Sequence, residues 1–108
     1  YQETGLPLPL GLDCVRRDLG QEWHLSLGRA LQLSIEAAFK NNSSAVDYAL
    51  QFGRGIDAER GEKFAKMYVN KLTVDMGKDG QAALQELFQR AHVAGLINEI
   101  PPIDIVWL

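Results

Sequence analysis

The side chains that most often carry enzyme chemistry are few in this chain. His24 and His92 are the two histidines, and neither has a second His or Cys at the spacing of a metal-ligand pair. Both fall in predicted helices, where a structural hydrogen bond is favoured and a general base or metal ligand is the alternative. Cys14 is the single cysteine, which excludes an internal disulfide and a thiolate zinc site and fits a reducing compartment. These residues alone predict no catalytic constellation.

Two short polar motifs have a structural and a chemical interpretation. Ser43 and Ser44 lack a base at a matching spacing, so helix capping is favoured over nucleophilic attack. Arg16 and Arg17 form a close basic pair that could bind a carboxylate or phosphate through bidentate hydrogen bonds. The alternative, which we favour, is a surface pair that binds Asp18 or the end of a helix.

Composition narrows the class of protein. Hydrophobic residues make up 46% of the 108 residues and charged residues 23%, as expected for one folded domain or part of a larger one. The net charge is −3 and no basic cluster occurs, so a nucleic-acid partner is not expected. No apolar run reaches the roughly 18 residues that span a membrane, so no membrane contact is expected either.

The elements that would position any site are mostly helical. Apolar residues recur at three- and four-residue spacing through the middle of the chain, which is typical of amphipathic helices. Ser43 or Ser44 is expected to cap the second helix and Asp57 the third, while Asp79 begins the last. The predicted helices cover residues 21–41, 44–52, 58–70 and 80–94.

Extended segments are expected at both ends. Pro7 and Pro9 fix φ and lack a donor N–H, so residues 5–11 cannot be helical. We predict a short strand at 12–16, a turn at 17–20, an extended stretch at 72–77 and an extended apolar tail at 100–108. Helices between two extended segments suggest a fold that receives a sheet from elsewhere, since two strands alone are marginal in water.

Two blocks of sequence resemble a known enzyme family, the 1,4-dihydroxy-6-naphthoate synthases. The likeness runs from about residue 4 to residue 95, and the helices between the blocks match in length and order. The first block is Thr4-Gly5-Leu6-Pro7-Leu8-Pro9-Leu10-Gly11 followed by Arg16-Arg17-Asp18-Leu19-Gly20, and the second is Tyr68-Val69-Asn70 with Thr73, Asp75 and Gly77.

The resemblance implies a fold and an activity. Members resemble type-2 periplasmic binding proteins, α/β proteins with two lobes around a cleft. They are lyases of the cytoplasmic futalosine route to menaquinone and convert cyclic dehypoxanthine futalosine to 1,4-dihydroxy-6-naphthoate without a metal or organic cofactor. The chain would be the mainly helical C-terminal part: residues 1–20 an interlobe crossing strand and turn, 21–95 a helical region, and 96–108 the tail.

The family's proposed base is a histidine in an Ile-Ile-His-Glu-like motif, which neither His24 nor His92 matches. We therefore expect no catalytic residue here, no activity from the chain alone, and a catalytic part upstream in the same protein. The crossing segment is expected to approach the cleft and bind substrate through Leu8, Pro9, Leu10 and Gly11. The alternative is that Leu8 and Leu10 simply pack under a helix. Asn70 and Asp75 are expected to hydrogen-bond the loop after their helix rather than a ligand.

Two other classes of function stay open at this stage. A solute-binding module of the same fold would bind a small molecule without chemistry. An independent helical interaction domain would expose little apolar surface, whereas the tail from Ile103 to Leu108 is strongly apolar. That tail is expected to be covered either by the rest of the protein or by a second copy of the chain.

Overall fold

The computed structural model describes residues 2–108 and is mainly helical. Short loops join a 3-10 helix, four α-helices of nine or more residues and one of a single turn. The 3-10 helix is Arg17–Leu19, and the α-helices are α1 (Gln21–Lys40), α2 (Asn42–Leu50), α3 (Ala58–Tyr68), α4 (Lys71–Val74) and α5 (Gly77–Val93). The prediction of a mainly helical chain is thus confirmed.

The predicted strand at residues 12–16 is wrong, because no β-strand forms within residues 2–108. A strand is defined by its ladder of hydrogen bonds to a neighbour. The described part of the chain offers these residues no paired neighbour, so they stay irregular and lead into the 3-10 helix.

α1 begins after Gly20, whose φ of +87° suits a residue without a Cβ. It ends at Asn41, whose backbone N–H donates to the Ala37 carbonyl oxygen over 3.0 Å. On its inner side, Gly28 makes room for the tail: a Cβ there would lie 3.2 Å from Leu108 Cδ2 and 3.5 Å from Val106 Cγ1. The tail therefore packs against α1 of its own chain.

The starts of α2 and α3 differ in their capping. Neither Ser43 nor Ser44 caps α2, which follows Asn41 without a side-chain cap, so that prediction is wrong. Asp57 does cap α3, since its Oδ1 accepts the backbone N–H of Arg60 over 2.8 Å. The two helices approach closely where Gly61 faces Leu50: a Cβ on Gly61 would lie 2.6 Å from Leu50 Cδ2.

A polar bridge also ties α2 to α3. Asn42 Nδ2 donates to Glu62 Oε1 over 2.8 Å, and Lys66 Nζ donates to the same oxygen over 2.6 Å. The hydrogen bonds from Lys66 and then Asn42, together with the Lys66 charge, hold the pKa of Glu62 below its ordinary value. The bridge is therefore strongest while the carboxylate is ionised.

The predicted extended stretch at 72–77 is wrong, because α4 forms there. Asn70 Oδ1 accepts the Leu72 N–H over 2.9 Å, and Thr73 Oγ1 accepts the Asn70 N–H over 3.0 Å. These reciprocal bonds form a capping box, which supplies local partners that the apolar pattern did not reveal. Asp75 Oδ1 then accepts the Gly77 N–H over 2.9 Å, so the local roles predicted for Asn70 and Asp75 are confirmed.

The molecule is open for its size. A compact monomer of this mass exposes about 6,000 Å² and has a radius of gyration of about 13 Å. This chain exposes 8811 Å² and has a radius of gyration of 16.1 Å. Within residues 2–108, the buried hydrophobic side chains are Ile35, Val46, Ala83 and Leu84. Much apolar surface is therefore left without cover by the chain itself.

Candidate functional site

The proline segment at residues 5–12 lies along α5 and forms the candidate site. Its start is fixed by two polar contacts: Thr4 Oγ1 accepts the Leu6 N–H over 3.1 Å, and Arg90 of α5 donates to Glu3 Oε2 over 2.9 Å. Arg90 also donates to Glu86 over 2.7 Å. The bonds from Arg90 to Glu86 and then Glu3 raise the pKa of its guanidinium above the ordinary value, so this anchor stays charged at any physiological pH.

Between this segment and α5 is a shallow cavity of about 230 Å³. Leu84 forms its floor and is only 4% exposed, whereas Leu87 at the rim is 40% exposed. The wall on the other side is stiff because Pro9 restricts the backbone. The complete lining is Pro9, Leu10, Gly11, Leu12, Leu84, Leu87 and Phe88.

Three of the four predicted substrate-binding residues are brought together here. Pro9, Leu10 and Gly11 line the cavity, and Leu10 remains 46% exposed beside it. Leu8 does not line it and is 69% exposed. Alternation in an extended run would place Leu8 and Leu10 on one face, but here they lie in different surroundings rather than on one shared wall.

The α5 side of the cavity was missed as a site by sequence reasoning. Leu84, Leu87 and Phe88 are recognisable as the apolar stripe of a helix by their spacing. Nothing in that spacing says which segment the stripe faces. Only the chain path through α1 to α4 brings a segment more than 70 positions earlier in the sequence against it.

The lining limits what this cavity can do chemically. Its side chains are aliphatic or aromatic, and none of them titrates or donates a hydrogen bond. Such a surface can hold a planar apolar ring by dispersion and by exclusion of water. It cannot transfer a proton, so a reaction at this place would need acid or base groups from another part of the protein.

A second cavity of about 430 Å³ lies between the start of α1 and the tail. Arg17 pairs with Asp104 across it, and His24 Nε2 donates to the Arg16 carbonyl oxygen over 2.9 Å. Arg16 itself forms a bidentate pair with Asp18, at 3.0 and 2.6 Å. The surface-pair interpretation is therefore confirmed for Arg16, whereas Arg17 binds Asp104 and ties the segment before α1 to the tail. The full lining is Val15, Arg17, Gln21, His24, Leu25, Asp104, Ile105, Val106 and Trp107.

Both histidines make structural contacts, as predicted. His92 Nδ1 donates to the Ile97 carbonyl oxygen over 3.2 Å, which closes the turn after α5. Among residues 2–108, no three His, Cys, Asp or Glu side chains come together as a metal-ligand cluster. None of the helices in this part of the chain is long and apolar enough to span a bilayer.

Comparison with protein families gives a match over most of the chain. A family model described as menaquinone biosynthesis matches residues 1–93. The chain belongs to this family. The match includes the proline segment and all five α-helices, so both sides of the cavity lie within the shared region.

Individual relatives agree with this menaquinone biosynthesis assignment. The chain is 34% identical over 99 residues to a 1,4-dihydroxy-6-naphthoate synthase of Streptomyces coelicolor, and 34% identical over 100 residues to one of Thermus thermophilus. These alignments cover 92% and 93% of this chain but 35% and 37% of the relatives. The chain therefore spans about a third of the length of the curated relatives it matches.

A solved structure shares the fold. A crystal structure of an Archaeoglobus fulgidus protein superposes with a TM-score of 0.84 at 44% sequence identity. The superposition covers 89% of this chain and 36% of that protein. The open helical arrangement is thus found as part of a larger folded chain.

Proposed function

We propose that this chain is the C-terminal part of a menaquinone-pathway lyase that converts cyclic dehypoxanthine futalosine to 1,4-dihydroxy-6-naphthoate. The observation that carries the proposal is the pair of naphthoate synthases that match more than nine-tenths of the chain. The family match over residues 1–93 supports the same pathway. A solute-binding module is not favoured, because both of these relatives are named as synthases.

The proposed complete protein has the two-lobe fold of type-2 periplasmic binding proteins and works in the cytoplasm. In it, residues 1–20 form the crossing between lobes and its turn, 21–95 the helical region, and 96–108 the tail. The proline-stiffened course of residues 5–11 and the large uncovered surface of the chain support this division. The sheet of the α/β fold would come from the upstream part.

The cavity beside α5 is the proposed substrate contact. Leu10, Pro9 and Gly11 would present an apolar wall to the aromatic ring, with Phe88 opposite, and Leu8 would contact substrate only from its exposed position. The acid and base groups would come from the upstream histidine motif, because the lining has none. The chain by itself should therefore be inactive, and no metal or organic cofactor should be needed.

The test compares the 108-residue chain alone with the same chain joined to the sequence encoded immediately before Tyr1. Product is measured by liquid chromatography and mass spectrometry after addition of cyclic dehypoxanthine futalosine. We expect 1,4-dihydroxy-6-naphthoate from the joined polypeptide and none from the chain alone. Turnover by the isolated chain, or no turnover by the joined polypeptide, would overturn the proposal.

A variant pair tests the position of the site in the joined polypeptide. Leu10→Asp places a charge in the apolar lining and should raise KM at least about tenfold, since losing one buried apolar contact costs a ligand about 1–3 kcal/mol. Leu96→Asp, on an exposed side chain after α5, is the matched control and should leave KM unchanged. Equal KM values for the two variants would remove the cavity from the active site.

A further inference from the structure

The exposed surface of α1 is not uniform, because its charged residues all lie on one side. An α-helix turns about 100° per residue, so positions seven or four apart share a side. All the Asp, Glu, Lys and Arg side chains of the helix follow that spacing. They form the charged strip of α1: Glu22, Arg29, Glu36 and Lys40.

A second side of α1 faces the interior of this chain. Ile35 is buried there, Gly28 contacts the tail, and His24 bonds the Arg16 carbonyl oxygen. These three positions also share one side by helical spacing. The interior side therefore accounts for only part of the helix surface.

The third side of α1 has no charged residue and is only partly covered by this chain. Trp23 is 61% exposed and Leu27 is 44% exposed, although both are large apolar side chains. The small residues Ala30 and Ser34, which follow on the same side, allow another element to pack closely. This side, the α1 apolar face, consists of Trp23, Leu27, Ala30, Leu31 and Ser34, all of them exposed.

We propose that the α1 apolar face is the docking surface for the other two thirds of the synthase. This inference rests on the proposed function, because it takes the partner from the naphthoate synthases. Those relatives share this chain's sequence over 35% and 37% of their length, so they contain a large further body of protein. The family match includes all of α1, so this helix belongs to the shared region.

The size of the exposed apolar surface also favours a large partner over a second copy of this chain. One face of a 20-residue helix is about 30 Å long and 10 Å wide, roughly 300 Å². Stable interfaces bury about 800 Å² on each partner, so two copies pairing through α1 alone would fall short. The chain exposes 8811 Å², against about 6,000 Å² for a compact monomer of its size. A body twice the size of this chain can cover α1 together with neighbouring apolar surface.

The test uses one substitution in two settings: the 108-residue chain and the same chain joined to the sequence encoded immediately before Tyr1. Leu27→Asp should lower the Tm of the joined polypeptide by at least about 5 °C, as expected for a charge in a packed interface centre. In the 108-residue chain Leu27 is already 44% exposed, so the same substitution should lower Tm clearly less than in the joined polypeptide. The matched control is Arg29→Glu on the charged strip, with less than about 2 °C expected in both settings.

Trp23 supplies a second measurement. Trp107→Phe leaves Trp23 as the only tryptophan. Its fluorescence should move to shorter wavelength in the joined polypeptide relative to the 108-residue chain, because docking removes it from water. Unchanged emission, or the same loss of Tm from Leu27→Asp in both settings, would overturn the proposal.

Three further results test the occupant of the face and separate the inference from the proposed function. Concentration-dependent self-association of the 108-residue chain that Leu27→Asp abolishes would assign the face to a second copy and overturn the proposed occupant. A joined polypeptide that shows the Leu27-dependent Tm but makes no naphthoate would support the docking surface and overturn the proposed function. Product formation by a joined polypeptide whose Tm does not change with Leu27→Asp would support the proposed function and overturn the docking surface.

Discussion

Leu84 is the side chain on which the candidate site depends for its shape. It is almost fully buried in α5 under the proline segment, whereas Leu87, less than one helical turn later, is 40% exposed at the cavity rim. Replacing both by alanine, one at a time, removes the same atoms from the same helix. The difference between the two variants therefore measures burial rather than helix propensity.

The expected cost of Leu84→Ala is about 2–3 kcal/mol. Buried Leu→Ala changes cost about 2–5 kcal/mol, and the upper part of that range comes from closed cavities that stay empty. Here the space left by the substitution joins an open cavity of about 230 Å³ that water can enter, so the lower half of that energy range applies. Leu87→Ala should cost about 1 kcal/mol or less, because its side chain is only partly removed from water.

Urea unfolding followed by circular dichroism at 222 nm measures both values. We expect a lower midpoint for Leu84→Ala with an unchanged m-value, and a Tm lower by on the order of 10 °C. Equal losses for the two variants would refute the argument, because they would mean that the proline segment does not cover α5. A large fall in the m-value for Leu84→Ala alone would instead indicate that the variant disturbs the whole fold.

Three more substitutions test local features of the fold. Asp57→Ala removes the cap of α3 and should lower the free energy of unfolding by about 1 kcal/mol in urea titrations. Glu62→Gln should make the stability of the fold less dependent on pH in the acid range. The pKa of Glu62 in the folded chain is below the unfolded value of 4.5, so the ionised carboxylate stabilises the fold above that pH. This contribution is lost as the pH falls through the folded-state pKa. Gly80→Ala should destabilise by about 1–3 kcal/mol, because the new Cβ would lie 2.5 Å from Met76 Cβ, which cannot rotate away.

Each of these has a matched control in the same chain. Ser44→Ala should leave the free energy of unfolding unchanged, since Ser44 does not cap α2. A decrease equal to that of Asp57→Ala would mean that Ser44 does cap α2, as the sequence predicted. Glu99→Gln changes an exposed residue and should leave the acid dependence of stability as it is in the natural chain. If Glu99→Gln weakens that dependence as much as Glu62→Gln does, Glu62 has no special role. Gly28→Ala adds helix propensity of about 1 kcal/mol, and its Cβ would lie 3.2 Å from the flexible end of Leu108 and in ordinary contact with Val106, so it should stabilise where Gly80→Ala does not.

Local chemistry made several elements predictable from sequence. Pro7 and Pro9 exclude a helix wherever they occur, and the long run of i, i+3 and i+4 apolar positions gave α1 within one residue. Asp57 was recognisable as a cap because its partner lies three residues away. The resemblance to naphthoate synthases likewise depended on short stretches of sequence, and the family match over residues 1–93 confirms it.

Other predictions failed where two local tendencies compete or where a partner is required. The strand at 12–16 needed a neighbouring strand, and the described part of the chain provides none. α4 forms because Asn70 and Thr73 exchange hydrogen bonds, which a count of apolar residues does not register. Ser43 and Ser44 have the right chemistry for a cap, but α2 begins before either of them, at Asn42, with Asn41 in the capping position.

The sequence by itself determined the four longer helices, the stiff proline segment and the family, because each depends on residues close together in the chain. Only the tertiary structure decided that Leu10 faces Leu84 and Phe88, that Leu8 does not, and that Trp23 and Leu27 lie on a partly exposed side of α1. Helical spacing defines which residues share a side, but not what that side meets. That depends on how the loops direct the helices, and on the large apolar surface this chain leaves exposed.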